Sequence, residues 1–166
     1  MKRLIIVLAL LLMVSVVAMA QEEKVQVFGG WQFVNADNAM VMSNGRPNLP
    51  KGWDADFAVK ATKHVAVVGD FSGSYKYGNK YHTFMFGPRV MATSGKVTPF
   101  GEVLFGGLTA NYGWGTHFSM AMGGGLDVSV NKRVSIRLAK FDYNLVRAYG
   151  VSMHNLRLAT GIVFKF

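Results

Sequence analysis

The chain has 166 residues, 51% of them hydrophobic and 16% charged, with 18 Lys and Arg against 9 Asp and Glu and no cysteine. That length suits one domain, and the missing cysteines exclude disulfides, thiolate metal sites and the lipidated type of bacterial export signal. A net charge of +9 would suit nucleic acid, but no helix pattern or aromatic RNA-binding motif accompanies it. Nucleic acid is therefore set aside, and anionic lipid headgroups or lipopolysaccharide phosphates are the expected counterpart of the charge.

Residues 1–20 open with Lys2 and Arg3, run apolar from Leu4, and close on the small-x-small triplet Ala18-Met19-Ala20. This pattern predicts a cleavable secretory signal, leaving a domain over 21–166 that starts at Gln21. Without Lys2 and Arg3 the basic count falls to 16 against 9, a net of +7. No later stretch approaches the roughly 20 apolar residues of a spanning helix. Residence in a membrane would then require a closed barrel.

Period-two alternation marks eight strands. The first runs from Lys24 to Asn35, with Val25, Val27, Trp31 and Phe33 on one side and Gln26 and Gln32 on the other. The second, Gly52 to Lys60, sets Trp53, Ala55, Phe57 and Val59 against Asp54, Asp56 and Lys60. The third, His64 to Ser74, opposes Val65, Val67 and Phe71 to Asp70 and Ser72, and the fourth, Lys80 to Ala92, opposes Phe84, Phe86 and Val90 to Thr83 and Arg89. The fifth, Lys96 to Leu108, is less regular, with Phe100 and Glu102 on one side and Pro99 expected near its start or at a bulge. The sixth, Thr116 to Val130, places Phe118, Met120, Met122, Leu126 and Val128 opposite Ser119 and Asp127. The seventh, Arg133 to about Leu145, begins with Val134, Ile136 and Leu138 against Ser135 and Arg137, then loses phase over Lys140 to Tyr143, where a bulge is expected. The eighth closes the chain with Leu156, Leu158, Thr160, Ile162, Phe164 and Phe166 on one face and Asn155, Arg157, Ala159, Gly161, Val163 and Lys165 on the other.

The connections carry a second pattern. Those after strands one, three, five and seven span 36–51, 75–79, 109–115 and 146–153, whereas those after two, four and six span 61–63, 93–95 and 131–132. Long and short in alternation is what an outer-membrane barrel requires, with short periplasmic turns and longer outer loops. The tryptophans and tyrosines, all near the long-loop ends, predict an interfacial aromatic girdle that includes Trp31, Trp53, Tyr81, Trp114 and Tyr143.

The polar face is charged: Asp54, Asp56, Asp70, Arg89, Glu102, Asp127, Arg137 and Arg157 all share it. In a soluble barrel these charges would occupy an apolar core at several kcal/mol per ion unless paired. In a membrane barrel the polar face lines the lumen, and in an eight-stranded cylinder such side chains fill it. The expectation is a structural ion-pair network that closes the interior. The alternatives are a narrow pore and, with the faces reversed, a secreted lipocalin-like barrel. Glycines within the strands, Gly123 to Gly125 among them, leave room for long lumen side chains.

These residues resemble the small outer-membrane β-barrel family of OmpA- and OmpX-like domains. The segment Asn155 to Phe166, with Phe164 and Phe166, is similar to the C-terminal signal read by the outer-membrane assembly machinery, and Arg137 to Tyr143 is similar to the penultimate strand of many bacterial members. The resemblance implies an all-β, eight-stranded antiparallel up-and-down transmembrane barrel in a Gram-negative-type outer membrane, with both termini periplasmic. It also implies periplasmic chaperones and the barrel-assembly machinery as partners in biogenesis. Unlike OmpA itself, the chain stops at the barrel, without a Pro-rich linker or a peptidoglycan-binding domain.

His117-Phe118-Ser119 is similar to the His-x-Ser pair of the lipid A deacylases, but no glutamate follows Ser119 and the nearest downstream acid is Asp127. A serine nucleophile needs a base and an acid that orients it, so no catalytic residue is assigned. His82, His117 and His154 lie near one rim without ligand spacing; neither a metal nor a cofactor is expected. The expected role is structural or adhesive. The outer loops, with Arg46, Lys51, Lys76, Lys80 and Arg147, would touch lipopolysaccharide, a host surface or matrix.

Overall fold

The computed structural model describes residues 24–37, 48–76, 79–111 and 115–166. The export signal over 1–20, the centre of the first long loop with Arg46, and Tyr77, Tyr112 and Trp114 lie outside the described residues. Eight strands follow in order: β1 Val25–Asn35, β2 Asn48–Lys60, β3 Val65–Lys76, β4 Asn79–Met91, β5 Val97–Ala110, β6 Thr116–Ser129, β7 Val134–Ala148 and β8 Val151–Lys165. Each pairs antiparallel with its neighbour, and β1 pairs with β8 to close the barrel. Closure leaves no strand edge to satisfy, the condition for placing strands in lipid.

The two chain ends meet at the short-turn end, where the Val25 amide donates to the Phe166 carbonyl at 3.1 Å and the Phe166 amide to the Val25 carbonyl at 2.8 Å. At the opposite end the strands run further than their alternation suggests. β7 and β8 continue to Ala148 and Val151, leaving only Tyr149 and Gly150, both at positive φ (49° and 80°). That pair of left-handed residues is what a tight two-residue hairpin needs. The expected loop over 146–153 is thus mostly strand, and the segment over 75–79 likewise shrinks to the interval between Lys76 and Asn79. The expected alternation of long and short connections is therefore not kept: the intervals after β3 and β7 hold two residues each, fewer than 61–64, 92–96 and 130–133 after β2, β4 and β6, because hairpin pairing extends the strands at that end.

Two bulges adjust the register. One lies on β2, where Gln32 faces Gly52 but Val34 faces Leu49. The other lies on β7: Leu126 faces Ala139 and Asp127 faces Arg137, so Leu138 is the inserted residue. The same slip appears against β8, between Arg137 and Lys140. This bulge falls just before the expected stretch of Lys140 to Tyr143, and its effect is to turn both Arg137 and Lys140 inward. In an uninterrupted strand residues three apart point to opposite faces.

The side chains divide by face. Phe57, Val67, Phe71, Phe86, Phe105, Leu138, Phe141, Leu156 and Ile162 stand on the outside, with Val67 60% and Phe141 61% exposed. Inside, the wall is lined in layers: Val34, Leu49, Tyr81, Leu108, Val146 and Met153 toward the long-loop end, charged groups across the middle, and Phe28, Ala159 and Val163 nearer the termini.

Candidate functional site: the lumen and its rims

Ten charged side chains are buried in the middle of the lumen: Asp54, Asp56, Asp70, Arg89, Glu102, Asp127, Arg137, Lys140, Asp142 and Arg157. Seven strands, β2 to β8, bring them to one layer, where they form a connected set. Arg89 donates from Nε to Glu102 at 2.6 Å and from Nη2 to Asp56 at 2.7 Å. Asp56 also accepts from Arg137 Nη1, and Arg137 forks onto Asp127 at 2.8 and 3.0 Å. On the other side Arg157 forks onto Asp70 at 2.8 and 2.9 Å and donates from Nε to Asp142 at 2.8 Å. Two-pronged contacts of this kind fix orientation as well as charge.

Lys140 joins the two halves. Its ammonium donates to Asp70 and lies 3.1 Å from Glu102 and 3.5 Å from Asp54. Lys140 and Asp142 are missing from the charged face read from the sequence, and the bulge at Leu138 is the reason. A count by twos from Arg137 puts Lys140 outside, and only the inserted residue brings it in.

Phe100 supports the layer from below. Its ring lies 4.5 Å from the guanidinium carbons of both Arg89 and Arg137, and Phe28 lies 4.3 Å from that of Arg137. A cation over an aromatic face gains from the ring quadrupole, more so away from water. Gly125 makes this possible, since a Cβ there would come within 2.7 Å of the Phe100 ring.

The charges do not balance: six carboxylates meet four cations, an excess of two negative charges before any proton is assigned. Asp54 is the least engaged, with neither carboxylate oxygen accepting a hydrogen bond among the described residues. Above the layer a cavity of about 20 Å³ is lined by Gln32, Ser72, Ser119, Asn144, Asn155 and Arg157 among others. That is about the room one water needs, and Gln32 Oε1 and Asn144 Oδ1 have no hydrogen-bond partner among the described residues.

At the long-loop rim, Trp31, Trp53 and Tyr143 point outward. Trp31 Nε1 donates to the Pro50 carbonyl at 2.9 Å, Trp53 Nε1 donates to the Tyr75 hydroxyl at 2.9 Å, and the Tyr143 hydroxyl contacts His154. Tyr81 is a correction to the expected girdle: only 6% exposed, it packs inside with Leu49 and Leu108. Its position by the rim suggested an interfacial role, but it shares the parity of Met85 and Arg89, which face the lumen. Trp114 lies outside the described residues. Ser119 is fully buried, and its hydroxyl donates to the Met85 sulfur at 3.7 Å, while the His117 ring packs edge-on against Tyr149 at 4.8 Å. Among the described residues no three His, Asp or Glu side chains are grouped as a metal would need.

Phe164, on the outer face of β8, and Phe166, just past its end, stand exposed at the short-turn end. At the other rim Lys51, Lys80 and Arg147 are exposed and Lys76 half-buried.

A closed, all-antiparallel, eight-stranded cylinder with an apolar exterior and a charged lumen has the fold of the small transmembrane β-barrels of outer membranes. No protein-family model and no curated protein matches the sequence. Among solved structures, the chain is similar to Neisserial surface protein A (TM-score 0.63, 13% identity, covering 86% of this chain and 96% of that one). It is also similar to the outer membrane protein Ail of Yersinia pestis in a phospholipid bilayer nanodisc (0.52, 15%, 87% and 100%). A third likeness is to the N-terminal β-barrel domain of Pseudomonas aeruginosa OprF (0.52, 8%, 88% and 100%). At these identities the likeness is one of fold.

Proposed function

We propose that this protein is an integral outer-membrane barrel whose short turns and both termini face the periplasm. Its lumen is closed by the ion-pair layer, and its long-loop rim binds anionic surfaces. The observation that carries the reading is the inversion of polarity: ten charged groups inside and a belt of Phe, Val, Leu and Ile outside. A water-soluble barrel would expose that belt at a large cost in apolar surface. The lipocalin-like alternative needs an apolar cavity where this barrel holds its charges.

The closed lumen is supported by the complete burial of Arg137, Lys140 and Asp70. Planar-bilayer recordings should then give no steady conductance, whereas regular single-channel steps would favour the narrow pore. The surface-binding role is supported by the exposed Lys51 and Lys80 on either side of Tyr75 and by the exposed Arg147 on β7, since exposed cations at an aromatic rim suit phosphate-bearing lipopolysaccharide or an acidic host or matrix surface. Reversing Lys76 and Lys80 to Glu should weaken lipopolysaccharide binding at low salt; unchanged binding would remove this role. A catalytic role for Ser119 is disfavoured by its burial against Met85, and Ser119→Ala should leave lipid A unaltered in cells.

Membrane residence is tested by fractionation followed by electrophoresis of unheated and heated samples. Recovery in the outer membrane with a heat-dependent mobility shift is expected. Recovery in the soluble periplasm would overturn the reading.

A further inference from the structure

At the short-turn end the lumen-facing side of the strands carries charge out of the barrel. Buried, inward-facing Gln26, Ala58, Ala66, Thr98, Ser135 and Val163 mark where that side ends on six strands. Two residues further toward the turns or the chain ends, and so on the same face, stand Lys24, Lys60, His64, Lys96, Arg133 and Lys165. β4 and β6 run out in hydroxyls instead, Thr93 after Met91 and Ser129 after Asp127. The mouth of the barrel is therefore ringed by cations and hydroxyls. Lys165 shows the inward direction, since from β8 its ammonium reaches past β7 and donates to the Ser129 hydroxyl of β6 at 2.9 Å.

On the β1 to β4 side of this mouth lies an open cup of about 640 Å³ lined by Lys24, Lys60, Thr62, Lys63, His64 and Thr93. No Asp or Glu among the described residues lines it, and Asp127, one step in from Ser129, is held by Arg137 at 2.8 Å. With Lys63 and Lys132 of the turns, seven Lys and Arg stand at this end. Set against the two uncompensated carboxylates of the ionic layer and against Glu22 and Glu23, which lie outside the described residues, they leave a surplus of three positive charges. A recess of one sign of charge within a low-dielectric wall concentrates its field on an entering counter-ion.

We propose, resting on the membrane-barrel reading with its short turns in the periplasm, that this ring docks the acidic peptide branches of the cell-wall polymer, whose free carboxylates enter the cup. The ring shares the face of the lumen, whereas the headgroups of the surrounding leaflet lie outside the wall. One carboxylate on exposed lysines gains little, so a single small anion is not held. Many barrels fixed in one membrane and many acidic branches on one polymer meet as a multivalent pair, in which weak contacts act together. A branch end suits the recess, because buried Ala58, Ala66 and Met91 pack together one step further in and leave room only at the mouth.

The test is co-sedimentation of the full mature chain, in phosphatidylcholine nanodiscs, with insoluble purified cell-wall sacculi. Nanodiscs leave both ends of the barrel open to solution, so the outcome does not depend on which end faces the periplasm. The wild-type chain should sediment at low salt and stay in solution at about 0.5 M salt, where exposed charges are screened within a few ångströms. The triple variant K24Q/K60Q/K63Q should bind more weakly by on the order of tenfold, and sacculi whose carboxyl groups have been converted to amides should not bind the wild-type chain. Absence of sedimentation at low salt, equal binding of amidated sacculi, or undiminished binding by the triple variant, which would move the contact to the long-loop rim, would each overturn the proposal. A heat-dependent mobility shift verifies that the variant folds. A chain that never inserts contradicts the membrane-barrel reading, whereas one that inserts and does not sediment contradicts only the docking ring.

Discussion

The middle of the lumen and its long-loop end are filled from the same wall by opposite means. In the middle, four cations and six acids interlock through directed contacts; toward the long loops, Val34, Leu49, Tyr81, Leu108, Val146 and Met153 pack as an ordinary apolar core. The apolar layer is stabilised by burial and tolerates change in proportion to the volume lost. The ionic layer has already given up its hydration, so removing one member leaves the others buried and uncompensated. The two regions should therefore respond to mutation with different magnitudes, and in the ionic layer with different signs.

The largest effect is expected at Lys140. Replacing it with Met keeps much of the volume but strips Asp70, Glu102 and Asp54 of their shared cation, which should cost about 3–5 kcal/mol of unfolding free energy. Reversible urea unfolding in lipid vesicles would measure it, and a loss under about 1 kcal/mol would show that the layer is wetter or looser than its contacts imply. Next comes Leu49, fully buried in the apolar layer, whose replacement by Ala should cost about 2–3 kcal/mol by the same assay. A loss at Leu49 matching that at Lys140 would erase the distinction between the layers.

Asp54 should show the smallest effect and the opposite sign. It belongs to the side in excess and accepts no hydrogen bond among the described residues, so Asp54→Asn removes a charge that the layer does not need. The expected change is within about 1 kcal/mol of zero, on the stabilising side. A loss as large as that of Lys140→Met would mean that Asp54 is an essential counter-ion.

The contrast also separates what the alternation of residues made legible from what it concealed. Eight strands and the outward side of Phe57, Phe71 and Phe86 follow from period two alone, and Asp56, Arg89 and Arg157 sit where that period puts them. Lys140 does not, since one inserted residue at Leu138 reverses the phase for the rest of β7 and carries Asp142 inward with it. A bulge is a backbone event with little side-chain signature. What hinted at it was the spacing of Arg137 and Lys140, two cations three residues apart in a strand whose outer face is otherwise apolar. Tyr81 was concealed differently: closeness to a rim outweighed parity, although parity with Arg89 puts it inside. The connections over 75–79 and 146–153 read as loops because their residues lack alternation, yet hairpin pairing carries strands through such segments when the turn residues allow it.

The central claim, charge inside and lipid outside, is tested most directly by spin labels on single cysteines, which a chain without native cysteine permits. Labels at Phe71, Phe86, Phe141 and Ile162, all exposed on the outer wall, are compared in vesicles with labels at the buried Ala121 and Ala159. The account predicts that the outer four are relaxed by oxygen dissolved in lipid and shielded from a water-soluble nickel complex, while the inner two are shielded from both. Ready access of the nickel complex to Phe71 and Phe141 would place the outer wall in water and contradict it.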